Sequence, residues 1–523
     1  MTGTGRFLVA FLRRDRWHYL WWALGATLLY YSQAVSVKGL YTTQAEFDRA
    51  AASMQDNTAF IAMAGPARAL NTIGGQVMWQ ASAFGAVVVG LMSMFLVGRH
   101  TRVEEESGRD ELLRASAVSR HASLTAALVG SLLANVLVGA LVAVSLVSFP
   151  LDRADSVAVG VGLALCGWVF TGAALVAAQL TSSTRGMYAV SGAVIAVAYA
   201  LRAIGDVGDP VLSWLSPIGW YQAMHPYSGL RWGPALLLLG LAAAASGAAY
   251  ALFGRRDFGG GVWAARPGPD RAEPSLTTAL GFAWWLQRAS IIGWTGGIAL
   301  LGLAYGSIGD DVGTLIGDSS GSQDVFVQGG GSLVDGFYAV AIAVIALVGA
   351  GFTVSSALRP HSEEESGRVE VLLATGLTRR RWLLAQVVVT IAGTLLVLAG
   401  GGLGLGVGFG LVTGDGGRIG PFLLDTVGYV APSLVLAGLA RLLYGVLPRW
   451  AYLAWAGLGL GVLMVFFGPL LRLPGWLQGL SPYHHLALVP AEPFRWLPFV
   501  ALLLVAGALT AVGLVGFGRR DLR

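Results

Sequence analysis

A chain of 523 residues that is 55% hydrophobic and only 12% charged, with a mean hydropathy of +0.66, is excluded from the water-soluble globular class, in which about a quarter of residues are charged. Lys38 is the only lysine and follows Val37, so no G-x-x-x-x-G-K-[ST] phosphate loop, lysine Schiff base or S-x-x-K acyl-transfer pattern exists here. Cys166, the only cysteine, excludes intrachain disulfides, C-x-x-C redox motifs and thiolate zinc sites. The net charge of +5 is carried almost wholly by arginine, and its placement reads as membrane topology and not as a nucleic-acid patch.

Windows of ~20 apolar residues, each long enough to cross a bilayer, divide the chain into twelve expected spans. They fall at about 18–37, 79–98, 122–148, 157–180, 187–204, 234–253, 289–308, 336–358, 382–412, 421–447, 450–471 and 497–517. Ahead of the first and seventh, residues 7–17 and 276–288 carry Trp and Arg. Each reads either as an interfacial helix, with Trp at headgroup level, or as a frayed terminus and a linker end. The Gly-rich run from Ala399 to Gly410 fits a kinked helix or a loosely packed one. Arginine resists translocation, and placing both termini in the cytoplasm puts most of the 34 Lys and Arg residues inside. The acidic stretch 309–335 then lies outside, and Arg441 near the inner end of the tenth span is expected to snorkel toward water.

The chain repeats itself. Residues 104–120 read EEESGRDELLRASAVSR and residues 363–379 read EEESGRVEVLLATGLTR, identical at ten of seventeen positions. FGRRD recurs at 253–257 and 517–521, and Leu215-Ser216-Pro217 with Arg231-Trp232 is matched by Leu480-Ser481-Pro482 with Arg495-Trp496. A roughly constant offset between the copies implies duplication. The expected architecture is all-α: a polytopic membrane protein of two six-helix halves, 1–258 and 276–523, joined by a cytoplasmic linker at 259–275. Halves with an even number of spans enter the membrane from the same side and are parallel repeats.

Both EEESGR blocks fall in inner loops after the second span of a half. On a continuous helix Glu105 and Arg109, like Glu364 and Arg368, are spaced i,i+4, worth only some tenths of a kcal/mol. Three adjacent carboxylates repel, and Gly108 and Gly367 each weaken a helix interior by ~1 kcal/mol. Such costs, incurred at two equivalent positions, point to a docking surface for a partner, against the alternative of a solvated loop that keeps topology. The block resembles the type-2 ABC exporter permeases, and the twelve-span duplicated form resembles the actinobacterial polyketide-antibiotic and tetronasin-resistance exporter permeases. The resemblance covers essentially the whole chain. It implies that Glu104, Glu105, Glu106, Gly108, Arg109 and Glu111, with Glu363, Glu364, Glu365, Gly367, Arg368 and Glu370, couple to two copies of a separate ABC ATPase subunit. ATP and Mg then belong to that partner, and this chain binds no cofactor or metal and has no catalytic residue. The Leu-Ser-Pro segments are implied to be partly re-entrant, and the cell to be bacterial.

The resemblance also places the cargo path between the second and fifth spans of each half. There Trp79, Phe84, Met92, Phe95, Tyr188, Tyr199, Phe337, Tyr338, Phe352, Trp455, Met464 and Phe466 supply the aromatic and flexible surface that suits a large lipophilic cargo such as a polyketide antibiotic, drug or lipid. The same residue types also serve as ordinary lipid-facing or interface side chains. A proton-coupled secondary transporter is the alternative. It needs ionisable groups at mid-membrane, and no deep carboxylate is found.

Overall fold

The computed structural model describes residues 3–40, 43–55, 58–108, 118–257, 259–263, 270–308, 332–471 and 475–521, and these contain helices and turns but no strand. The chain forms two compact units, Met1–Gly268 and Pro269–Arg523. Among the described residues ten helices are long and apolar enough to cross a membrane, which makes this an all-α polytopic membrane protein. Ten of the twelve expected windows coincide with them. The other two, at 18–37 and 450–471, fall on helices Arg16–Leu40 and Ala454–Leu471, outside that set. In the first, the tryptophans, tyrosines and Gln33 dilute the apolar character.

The first unit opens with α1 (Thr4–Arg14), which packs against the later helix α7 and ends at Asp15, where α2 (Arg16–Leu40) begins. Residues 7–17 therefore include a separate short helix, as one of the two readings has it. Helices α3 (Gln44–Gln55) and α4 (Thr58–Ala64) precede α5 (Ile73–His100) and the single turn α6 (Arg102–Glu106). There follow α7 (Ala122–Val147), α8 (Arg153–Leu180), α9 (Thr184–Val207), the short α10 (Pro210–Trp214) and α11 (Pro217–Ala223), and α12 (Gly233–Arg255). Helix α8 is apolar all round and sits among α5, α7, α9 and α12, as an all-round apolar helix must. Gly139 and Gly160 let α7 and α8 touch, since a Cβ on Gly139 would lie 2.3 Å from the Gly160 carbonyl oxygen. Beside them Asn135 donates to Ser93 Oγ at 3.0 Å, and Ser131 pairs with Thr171 at 2.8 Å, so the buried polar atoms join three helices.

The second unit begins with a 3-10 turn at Pro274–Thr277 and α13 (Ala279–Gly306). Here the Trp-containing stretch 276–288 is not a separate interfacial helix. After the 3-10 turn and the Thr278 cap, residues 279–288 run unbroken within α13, because no Asp or Pro interrupts them as Asp15 does in the first unit. Helices α14 (Leu333–Glu365), α15 (Arg368–Leu373), α16 (Arg379–Thr413), α17 (Ile419–Gly428), α18 (Val430–Val446), α19 (Ala454–Leu471), α20 (Gly475–Gln478) and α21 (Trp496–Arg519) complete it.

The Gly-rich run is not loosely packed. It is the interior of α16, and its glycines press backbone on backbone against α13. A Cβ at Gly404 would lie 2.0 Å from the Ala299 carbonyl oxygen, and one at Gly302 would lie 2.1 Å from that of Gly401. Absent a hydrophobic drive inside lipid, such close van der Waals contact is what holds helices together. Gln287 and Gln386 link the same two helices at 2.9 Å, and Ser356 of α14 donates to Gln287 at 2.7 Å. Both Leu-Ser-Pro segments turn inward. Ser216 and Ser481 are fully buried, Ser216 Oγ caps α11, and Tyr221 and Tyr483 reach Tyr30 and Ser433 at 3.0 and 3.1 Å.

Gly404→Val is expected to wedge α13 from α16 and to destabilise the fold by about 1–3 kcal/mol, the usual cost of overpacking. Gly293→Ala, where a Cβ meets open space and alanine favours the helix interior, is expected to leave the melting midpoint of the detergent-solubilised protein unchanged or raised. Equal melting of the two variants contradicts backbone contact as the cause.

Candidate functional site

In the first unit α5 stops at His100, Thr101 leaves helical geometry (φ −125°, ψ −87°), and α6 adds one turn carrying the three glutamates. Gly108 follows in the left-handed region at φ +71°, where glycine is the residue of least cost. Glu104 is buried and accepts a hydrogen bond from Arg14 Nη1 at 2.7 Å. Glu105 accepts from Arg102 Nη1 at 2.8 Å, from Arg256 Nη1 at 3.1 Å and from Arg256 Nη2. Arg256 is the second arginine of the first FGRRD. Its guanidinium lies 5.2 Å from the centre of the Phe253 ring, and its Nε donates to Gln179 at 2.6 Å. Glu106 is exposed and accepts from the backbone N–H and the hydroxyl of Thr184, both at 2.7 Å, which covers the start of α9.

The second unit builds the same junction. Glu364 accepts from Tyr444 Oη at 2.7 Å, from Arg520 Nη1 at 2.8 Å and from Arg520 Nη2. Arg520 is the second arginine of the second FGRRD and lies 5.1 Å from the Phe517 ring centre and 4.9 Å from that of Tyr444. The arginine closing each block completes the tie: Arg379 Nη1 donates to the Arg520 carbonyl at 2.8 Å, and Arg120 Nη2 reaches the Arg256 carbonyl at 3.4 Å. Two echoes far apart in sequence are therefore one contact in space. A bidentate carboxylate–guanidinium pair largely removed from water is worth little against an apolar replacement, but loss of one partner costs about 3–5 kcal/mol.

Two expectations change. Glu364 and Arg368 do not share a helix, because α14 ends at Glu365 and Gly367 turns left-handed at φ +72° before α15 starts. Arg368 pairs instead with Glu363, Nε to Oε2 at 2.7 Å. The glycine is thus a helix terminator and not a weak interior residue, as its position just after an acidic run allows. Arg109 and Glu111 lie outside the described residues. Within each block the first two glutamates are largely withdrawn from water, at 7–10% side-chain exposure for Glu104, Glu105, Glu363 and Glu364, whereas Glu365 is 55% exposed. Glu365 keeps only peripheral contacts, with Tyr452 Oη at 3.2 Å and His361 Nε2 at 3.4 Å. Gly367, Arg368 and Glu370 are exposed, and Val371 between them and the next loop shows 71% of its surface.

The residues expected along a cargo path divide by position. Met92, Tyr338 and Phe352 are packed in the cores of their own units, and Met464 is buried. Trp79 is buried, donating to the Gly65 carbonyl at 2.7 Å. Phe84, Phe95 and Trp455 are exposed, Tyr188, Tyr199 and Phe337 are half-buried, and the Phe466 side chain lies outside the description. Phe95 meets Tyr188 with ring centres 5.4 Å apart, and Phe337 meets Tyr338 at 5.3 Å. Arg441 does not snorkel: it is 3% exposed within α18, with no ion pair among the described residues and with Nη2 unpartnered. Sequence reasoning missed Arg256, Arg520, Tyr444 and Arg14 as partners of the glutamates. The FGRRD echo was the available signal, since a pair repeated twice carries its partner with it.

A family model described as multidrug efflux system permease Rv1217c, C-terminal domain, matches residues 276–518. The chain is 38% identical over 527 aligned positions to the multidrug efflux system permease protein Rv1217c of Mycobacterium tuberculosis (strain ATCC 25618 / H37Rv), and the match covers 100% of this chain and 96% of the relative. Identity at that level over the full length of the chain places it in the Rv1217c-like family of multidrug efflux system permeases.

Proposed function

We propose that this chain is the membrane permease of an ATP-driven exporter of lipophilic compounds such as polyketide antibiotics, drugs or lipids. One chain works with two copies of a separate ABC ATPase, which hold ATP and Mg. The permease spans a bacterial cell membrane as two parallel six-span repeats, with both termini in the cytoplasm. The observation that carries this reading is the recurrence, once per unit, of a glutamate block tied to the unit's own last span, with its third glutamate exposed. One ATPase per block is the stoichiometry that such a duplication fits. Full-length similarity to a multidrug efflux system permease supports the transport class.

The split within each block assigns the parts. The inner glutamates Glu105 and Glu364, bound to Arg256 and Arg520, carry force from the loop into α12 and α21. The outer residues Glu106, Glu365, Arg368 and Glu370 meet the ATPase, with Val371 as the apolar centre of the contact in the second unit. A charged rim around one exposed aliphatic side chain is the usual composition of a docking patch.

Purified alone, the chain is expected to show no ATP turnover above a heat-inactivated control, because it has no phosphate-loop lysine. Its intact complex is expected to weigh one permease plus two ATPases; two permease chains per complex overturns the single-chain arrangement. In proteoliposomes, efflux that follows ATP and survives a protonophore separates this reading from proton coupling.

The two parts of the block are expected to respond differently. Glu365→Arg with Glu370→Arg is expected to reduce co-purification of the ATPase and drug-stimulated ATP hydrolysis severalfold at unchanged melting midpoint, more so at low salt. Glu364→Gln is expected to lower the melting midpoint, in keeping with about 3–5 kcal/mol for an orphaned buried arginine. The swap Glu364→Arg with Arg520→Glu is expected to recover part of it. Normal coupling in the first double variant, at equal expression, removes this surface as the docking site.

A further inference from the structure

At the end of the first unit opposite its glutamate block, a small hollow with a cavity volume of about 30 Å³ opens beside the start of α5. It is lined by Arg68, Trp79, Met78, Gln222, His225 and Ser228, among others. The 28 residues of α5 separate it from the block by about 42 Å, at ~1.5 Å per residue.

Three features single it out. The first is strain. Ala69, His225 and Tyr227 are the only non-glycine residues with positive φ among the described residues, at 47°, 53° and 60°, and all belong to the two loops that form its wall. Such backbone persists only where the surroundings enforce it, and it gathers at ligand clamps. The enforcement is visible: a Cβ at Gly75 would lie 2.0 Å from the Ala69 carbonyl oxygen, and one at Gly74 would lie 2.5 Å from the Tyr227 ring. Trp79 holds the Gly65 carbonyl at 2.7 Å, and Gln222 Nε2 holds Ala64 and Ser82 at 2.7 and 2.8 Å.

The second is charge. Arg68 is half-buried and has no hydrogen bond or ion pair among the described residues. The carboxylate that acts on it, Asp206, is already held by Arg202 and Ser213. Arg231 adds a second positive charge, and burial, with Arg68 and Arg231 beside it, pulls the His225 imidazole down to about 4, leaving it neutral at pH 7. The N-terminus of α5 contributes further positive potential. The third is an unmet acceptor: Gln222 Oε1 is buried without a partner.

We infer that this hollow binds an acidic amphiphile, its phosphate or carboxylate oxygens on Arg68, a head-group hydroxyl on Gln222 Oε1, and its apolar body over Met78 and Trp79. The inference goes beyond the exporter reading and stands without it, because binding is measured on the permease with no ATPase and no transport.

The full chain in uncharged detergent, titrated with dodecyl phosphate and followed by native mass spectrometry, is expected to bind one molecule saturably. Dodecanol, with the same apolar body and no charge, is expected to bind at least tenfold more weakly. Arg68→Met is expected to weaken dodecyl phosphate at least tenfold and Arg68→Lys to restore most of it. Gln222→Glu, which puts a negative charge in the hollow, is expected to match Arg68→Met and serves if that variant folds poorly. Competition by phosphatidylglycerol assigns the site to a membrane lipid head group, and failure to compete assigns it to a free acid. Wild-type affinity in both Arg68→Met and Gln222→Glu, or equal binding of phosphate and alcohol, overturns the inference.

Discussion

A carboxylate on one span and a guanidinium after another, both nearly withdrawn from water, hold the glutamate-block end of each unit. Glu105 with Arg256 and Glu364 with Arg520 join the loop after the second span to the chain just past the last one. Aromatic rings, Phe253 in one unit and Phe517 with Tyr444 in the other, cover the arginine and exclude solvent, so the attraction is screened less than at an open surface. The pair is costly to assemble and costlier to half-remove, which makes it a register device more than a source of net stability. A force applied at either glutamate block has a stiff route into the last helix of its unit.

Stiffness along that route depends on how the helices are packed farther in. Side-chain burial earns little inside lipid, and these units rely on backbone contact between glycines: Gly139 on Gly160, Gly302 on Gly401, Gly445 on Gly513. Buried Asn135, Gln287 and Gln386 then bind neighbouring helices by hydrogen bonds that only one register satisfies. Arg441 departs from this economy, because its charge is buried and its Nη2 is unmatched. A buried cation of that kind is costly, and packing alone does not account for it.

The two ends of the first unit differ in chemistry. One end carries acid neutralised from within, with a residual acidic fringe. The other carries strained backbone around Arg68, a positive charge with no ion pair among the described residues. A long, all-round apolar α5 connects them, and its ends, Thr72 to Gly75 and His100 to Glu106, are where local geometry departs from plain helix.

Composition alone determined that this is a membrane protein without a G-x-x-x-x-G-K-[ST] phosphate loop, because hydropathy and the absence of a second lysine are properties of the residue list and survive any arrangement. Helix positions were legible for the same reason: each span is a local run, and ten of twelve windows coincide with qualifying helices. The two glutamate blocks were legible as a repeated feature, but their inward and outward halves were not. Spacing made Glu364 and Arg368 neighbours, whereas Gly367 ends the helix between them and Arg520, 156 residues away, takes the carboxylate. Likewise the Gly-rich run fits a kinked or a loosely packed helix as sequence and is tight in space, since a missing Cβ has value only when another backbone arrives to use the room. The tertiary structure decided partners, burial and strain, because each is a relation between segments that no local pattern contains.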